Sequence, residues 1–157
     1  MKEVVNIMTA ERSLQEDPTK RSMLLTALYV SQEQHGYLTP DAIKRVAERL
    51  DMSPGEVYET ASFYSMYRTK PVGRYVIQVC EGLCCHLAGG AERLVDHLQE
   101  ELQIGPGETT DDGLFTLQTV QCLAACDVSP AMRVNDTLYG DLTFDRVDMI
   151  LQELRGG

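Results

Sequence analysis

The chain has 157 residues, of which 43% are hydrophobic and 24% are charged, a composition that excludes a disordered or collagen-like protein. Its 24 acidic and 14 basic side chains give a net charge of −10, which argues against nucleic acid or an anionic membrane surface as the main partner. No apolar run approaches the roughly 20 residues of a membrane span, so direct insertion into a membrane is not expected.

Charge and cysteine content divide the chain near Pro71–Gly73. Residues 1–70 carry nine basic and ten acidic side chains, whereas residues 71–157 carry five and fourteen. All five cysteines lie in the second part, and Pro and Gly mark the ends of regular structure. We therefore expect two domains, a helical bundle over residues 1–72 and a second domain over residues 73–157.

The first part is expected to form three short helices. Apolar residues recur at helical spacing over residues 20–34, and Gly36 marks the end of that helix. Thr39 followed by Pro40 indicates the start of a second helix, and Ser53–Glu56 is a capping box for a third. Three such helices can bundle, but their core alone would be small, so we expect them to lean on the second part or on a partner.

The second part alternates between strands and helices. We expect a strand over Arg74–Cys80, a helix from near His86 to Leu102, and a second strand over Leu114–Gln121. A short hairpin over Met132–Tyr139 follows, and Thr143 caps a last helix. This order predicts an α+β fold in which helices pack on a small mixed sheet, and a thioredoxin-like fold is one architecture with that order.

Four cysteines in two pairs carry the chemistry. Cys80 and Cys85 enclose four residues, Cys122 and Cys126 enclose three, and each pair lies where a predicted strand ends. If the two strands are neighbours, their ends bring the four thiols together. Each iron of a [2Fe–2S] cluster takes two bridging sulfides and two thiolates, so two pairs of cysteines suffice.

Other interpretations of the cysteines stay open. A single cysteine is often a small buried hydrophobe. Structural zinc favours C-x2–4-C knuckles, and the spacing of Cys80 and Cys85 is at the loose end of that range. A thiol–disulfide enzyme would show C-x-x-C, which this sequence lacks. Five cysteines, and an acidic start at Met1–Asn6 where a signal peptide is basic, favour metal or redox ligands in a cytoplasmic protein.

Most of the chain resembles a known family. Val79–Cys85 and Gln121–Cys126 look like the cluster motifs of the thioredoxin-like [2Fe–2S] subunit of NADH:quinone oxidoreductase (respiratory complex I), called the E subunit or the small flavoprotein subunit. The same module is found in NAD-linked hydrogenases and formate dehydrogenases. Further matching segments are Gly36–Thr39, Val57–Tyr58, Ala61–Tyr64, Pro71–Tyr75, Gly107–Thr110, Asp112–Gly113 and Val134–Asp136.

The resemblance implies a thioredoxin-like [2Fe–2S] domain in which Cys80 and Cys85 hold one iron and Cys122 and Cys126 the other. It also implies docking on a larger flavoprotein subunit that binds FMN and NADH, in the peripheral arm of a membrane-associated respiratory complex. The cluster would exchange electrons with that flavin. This chain has no G-x-G-x-x-G motif, so we do not expect it to be catalytic alone.

Two alternatives accompany this interpretation. Within the same class, the chain would be the equivalent subunit of an NAD-dependent hydrogenase or formate dehydrogenase. From another class, it would be a zinc-stabilised interaction module with no redox role.

Ala124 and Cys84 depart from the family pattern. At the first of these positions the family has Gly-Ala where this chain has Ala124–Ala125. Ala124 is strained if that position needs a positive φ. Cys84 directly precedes Cys85, and in an extended loop adjacent side chains point apart, so Cys84 is expected to lie outside the ligand set. Glu81 and Asp127 adjoin ligands and are expected to lower the reduction potential of the cluster, unless solvent screens them.

Overall fold

The structure of the chain, a computed structural model, describes residues 20–156. The expectation that rests on Met1–Asn6 lies outside them. The chain divides into two compact units, Met1–Pro71 and Val72–Gly157. Within residues 20–156, none of the helices has the length and apolar character needed to cross a bilayer.

In the first unit, residues 20–71 contain three α-helices whose ends follow local sequence signals. The Thr39 hydroxyl accepts a hydrogen bond from the Ala42 N–H at 3.1 Å, and Ser53 and Glu56 form the reciprocal capping box. Gly36 ends the first helix at φ 76°. The predicted helix starts and the Gly36 end are therefore confirmed. The elements are a 3₁₀ turn at Lys20–Met23, α1 at Leu24–His35, α2 at Pro40–Leu50 and α3 at Pro54–Phe63.

These helices share one apolar core. Leu28 of α1 and Val57 of α3 are fully buried within it. Tyr67 follows α3 into this core, and its hydroxyl donates to the Leu25 carbonyl at 2.7 Å. The neighbouring Tyr58 and Phe63 are exposed, so the aromatic residues of this stretch divide between core and surface.

The second unit is built on a four-stranded mixed sheet in the order β2-β1-β3-β4. Strands β1 and β2 are parallel, while β3 pairs antiparallel with both β1 and β4. The predicted α+β class and mixed sheet are confirmed. The elements are β1 at Tyr75–Cys80, α4 at Leu83–Leu87, α5 at Ala91–Leu102, β2 at Phe115–Val120, β3 at Met132–Val134, β4 at Thr137–Tyr139 and α6 at Phe144–Gly156.

The sheet carries an apolar face and a polar row. Its apolar side chains share one core with Leu98 of α5 and Leu151 of α6, and they include Ile77, Phe115, Leu117 and Met132. Gln78 of β1 is buried, and its amide donates to Gln118 Oε1 at 3.2 Å. The side-chain oxygen of Gln78, Oε1, accepts hydrogen bonds from Arg133 Nε and Nη2 at 3.0 and 2.6 Å. One buried amide thus links three adjacent strands.

The helix predicted from His86 to Leu102 is wrong as a single element. It consists of α4 and α5, separated at Gly89 and Gly90. Gly89 has φ 74°, and a Cβ on Gly90 would overlap the Pro130 ring. His86 therefore lies in the last turn of α4 rather than in the first turn of a helix.

Candidate metal centre

The first cysteine of each pair follows one of the two parallel strands. Cys80 is the last residue of β1 and is paired with Val120, the last residue of β2. Cys122 lies two residues beyond. Because parallel strands end at the same edge of a sheet, both cysteine motifs begin at one place. The Glu81 N–H donates to the Val120 carbonyl at 2.9 Å and holds the two chain segments together past the strand ends.

Gly82 lies between these two cysteines. A Cβ on Gly82 would be 3.3 Å from Cys80 Sγ, 3.9 Å from Cys122 Sγ and 3.1 Å from the Gln121 carbonyl oxygen. Because both sulfurs lie this close to one point, the distance between Cys80 Sγ and Cys122 Sγ does not exceed the sum of their distances from that point. A side chain at position 82 would crowd the Cys80 sulfur and the Gln121 carbonyl oxygen, and a glycine two residues after Cys80 was the sequence signal for this close approach.

Cys85 lies on the inner side of the site. It is 2% exposed and packs with Cys80, Ala125 and Ala131. Its thiol donates to Ser129 Oγ at 3.6 Å. Helix α4 begins directly after Gly82, and Cys85 lies on it. This placement brings Cys85 toward the loop that follows β2.

Cys126 is surrounded by other thiols. Its hydrogen bond with Cys84 and the negative charge that Cys84, Cys122 and Cys85 carry as thiolates raise the pKa of Cys126 to about 11. Without a cation the neighbouring thiols therefore disfavour the ionisation of Cys126. A bound metal reverses this, since a coordinating thiol is deprotonated by the charge of the ion.

Cys84 differs from its predicted setting. It does not lie in an extended loop, because α4 begins at Leu83 and places both Cys84 and Cys85 on a helix. The Cys84 side chain is exposed, and its interaction with Cys126 is the main cause of the raised pKa of that thiol. It therefore stands at the site without being one of the four predicted ligands. The adjacent Cys84–Cys85 pair in the sequence was the only signal for this.

Ala124 adopts the left-handed conformation, with φ 56°. Its N–H donates to Cys122 Sγ at 3.3 Å. The departure at this position is therefore a strained one, since a side chain disfavours positive φ. Hydrogen bonds to the sulfur ligands are one of the means by which proteins set iron–sulfur potentials. The strained Ala124 therefore supplies the N–H that bonds to the sulfur of Cys122, a predicted ligand.

The two acidic neighbours are solvated. Glu81 and Asp127 are both exposed, as the solvated interpretation of these residues expects. Water and salt screen such charges, so any effect on the potential of a cluster is smaller than that of an unscreened charge. The lowering of the potential by these carboxylates stays a prediction.

The donor set matches an iron–sulfur cluster in its chemistry. Across residues 20–156, no group of three or more His, Cys, Asp or Glu side chains is arranged to hold a single metal ion. A [2Fe–2S] cluster needs two thiolates at each iron. The first cysteines of the two pairs meet at one sheet edge beside Gly82, and the Ala124 N–H is directed at Cys122 Sγ, so the donors are sulfur atoms of the kind that such a cluster takes.

The sequence matches a family model and is similar to known proteins. The family model described as thioredoxin-like [2Fe-2S] ferredoxin matches residues 10–155. The second of the E subunits of NADH-quinone oxidoreductase in Rhizobium meliloti (strain 1021) is 42% identical over 138 residues, covering 88% of this chain and 82% of that protein. NADH-quinone oxidoreductase subunit 2 of Thermus thermophilus is 43% identical over 139 residues, covering 88% and 76%.

A solved structure shares the architecture. The NAD+-reducing [NiFe]-hydrogenase in its H2-reduced state superposes with a TM-score of 0.73 at 27% identity, over 83% of this chain. This chain corresponds to 22% of that longer hydrogenase chain. The resemblance stated from the motifs is thus confirmed both by the family match and by the relatives. The chain belongs to the thioredoxin-like [2Fe–2S] ferredoxin family.

Proposed function

We propose that this chain is the electron-transfer subunit of an NADH-oxidising flavoprotein complex and holds one [2Fe–2S] cluster through Cys80, Cys85, Cys122 and Cys126. The observation that carries the proposal is the shared edge of β1 and β2, where the sulfurs of the first cysteine in each pair both lie close to Gly82. We further propose that residues 1–72 and 73–157 are its two domains, with the first a three-helix bundle.

The cluster, when bound, supplies one-electron chemistry. Cys80 and Cys85 would bind one iron, and Cys122 and Cys126 the other. The Ala124 N–H stabilises negative charge on the Cys122 sulfur. Ala125 and the buried Cys85 keep water from the inner side of the site, while Cys122 and Cys126 face the surface.

The partner in this proposal is a flavoprotein subunit that binds FMN and NADH. Its host is an NADH:quinone oxidoreductase, since relatives at about 40% identity bear that name, and the chain would belong to the peripheral arm. A hydrogenase host is the second candidate, because the superposed structure is an NAD+-reducing [NiFe]-hydrogenase. To test the partner, NADH is added to the cluster-loaded chain with and without the flavoprotein, and we expect the cluster to be reduced only when the flavoprotein is present. To test the host, the native complex is assayed for quinone reduction and for hydrogen uptake, and we expect quinone reduction.

The cofactor is tested on anaerobically purified chain. We expect two irons and two acid-labile sulfides per chain, and an EPR signal after dithionite reduction. Serine at any of the four proposed ligands lowers the iron content or changes the EPR spectrum. Cys84→Ser is the matched control and retains both. Stoichiometric zinc without acid-labile sulfide would instead support the zinc module and end the proposal.

A further inference from the structure

The outer face of α4 is apolar and exposed. Leu83 and Leu87 are 72% and 75% exposed, more than any other large apolar side chain described in the second unit. They are four residues apart on one helix and therefore share a face. We call these two side chains the leucine ridge. Cys85 supplies the buried side of the same helix, so neither leucine is needed for the core.

The leucine ridge borders the exposed side of the metal centre. Cys84 lies between the two leucines in sequence, is exposed, and is near enough to Cys126 to raise the pKa of that thiol. Cys122 and Cys126 are exposed as well. Apolar side chains grouped at the surface are typical of protein interaction sites, and here they stand where a cluster would be most accessible.

We propose that the leucine ridge is the docking surface for the FMN-binding flavoprotein subunit. This inference rests on the proposed function and adds the surface through which it is performed. A partner that covers Leu83 and Leu87 brings its own cofactor to the exposed side of the thiols. Contact at any surface remote from α4 leaves that side facing water.

Charge defines the chemistry of the partner surface. Residues 72–157 carry five basic and fourteen acidic side chains, and the exposed Glu81 and Asp127 adjoin the site. The complementary surface is an apolar patch with a basic rim. Opposite charges of this kind accelerate association, and added salt slows it.

The test uses the full chain with its cluster and the FMN-loaded flavoprotein subunit. Leu83→Gln with Leu87→Gln raises the Kd at least tenfold and slows NADH-driven reduction of the cluster, followed by stopped-flow absorbance. The EPR spectrum and midpoint potential stay unchanged, because both leucines point outward. The control, Leu138→Gln with Met149→Gln, makes the same polarity change at exposed positions on β4 and α6 and alters the Kd less than twofold.

The outcomes separate the two proposals. Tight binding by the double ridge variant, or equal weakening by the control, overturns the docking surface and leaves the proposed function standing. A wild-type chain that neither binds the flavoprotein nor accepts its electrons overturns the proposed function. If the double variant loses its cluster, Leu83→Gln and Leu87→Gln are measured singly, and wild-type affinity in both overturns the ridge.

Discussion

Replacement of Ala124 by glycine should stabilise the second unit. Ala124 has φ 56°, a conformation that costs an L-residue about 1–2 kcal/mol. Glycine avoids this cost but loses roughly 0.5–1 kcal/mol more conformational entropy on folding. The net gain is about 0.5–1 kcal/mol. The exposed Ala124 methyl contributes little packing, and the N–H bond to Cys122 Sγ is retained.

Denaturant unfolding of the cluster-loaded full chain measures this gain as a higher midpoint with an unchanged m-value. In thermal unfolding a domain of this size shifts by about 4–8 °C per kcal/mol, so we expect a Tm rise of about 2–8 °C. Ala125→Gly is the matched control, since Ala125 is buried and has φ −116°. It should lower the Tm. A loss of stability in both variants would refute the strain argument.

Three further predictions concern other residues. Gly82→Ala should reduce the iron and acid-labile sulfide retained per chain, because the new Cβ would lie 3.3 Å from Cys80 Sγ; unchanged contents would contradict a need for glycine beside the sulfurs. Gly90→Ala should lower the free energy of unfolding by about 1–3 kcal/mol through overlap with the proline ring beside it. Its control, Gly55→Ala, has no neighbour closer than 3.9 Å and should cost nothing. Hydrogen bonds from Ser53 hold the pKa of Glu56 below its usual range. The stabilisation is therefore complete above the ordinary glutamate pKa and is lost as the pH falls through the lowered value. Carboxyl NMR titration should show Ser53→Ala returning that pKa part of the way toward normal, since the N–H of residue 53 still donates to the carboxylate; an unaltered titration would exclude the Ser53 hydroxyl as a cause.

Local signals predicted much of the fold. The caps at Thr39 and Ser53 are read from neighbouring residues alone, and the structure confirms both. The interpretation of the cysteines required the two strands that precede them to be neighbours. The parallel pairing of β1 and β2 meets that condition. These features depend on hydrogen bonds or periodicity within a few residues, apart from the pairing itself.

Long-range contacts determined what the sequence did not reveal. Apolar spacing continues through Gly89 and Gly90, and only the approach of Pro130 shows why the helix divides there. The alanine at position 124 does not itself indicate a positive φ, and only the glycine that the family pattern has there pointed to one. The position of Cys84 depended on whether its segment was loop or helix, and the short α4 has no periodicity that would distinguish them.

The polar row across the sheet has a consequence for the cysteines at its edge. Gln78 and Cys80 project from the same face of β1, since they are two residues apart. A slip of one residue would turn Cys80 to the opposite face. It would also break the hydrogen bonds of the buried Gln78 amide with Gln118 and Arg133. Each polar group left unsatisfied costs about 1–3 kcal/mol. Bonds between residues 40 and 55 positions apart thus penalise misaligned strands and keep the thiols at one corner.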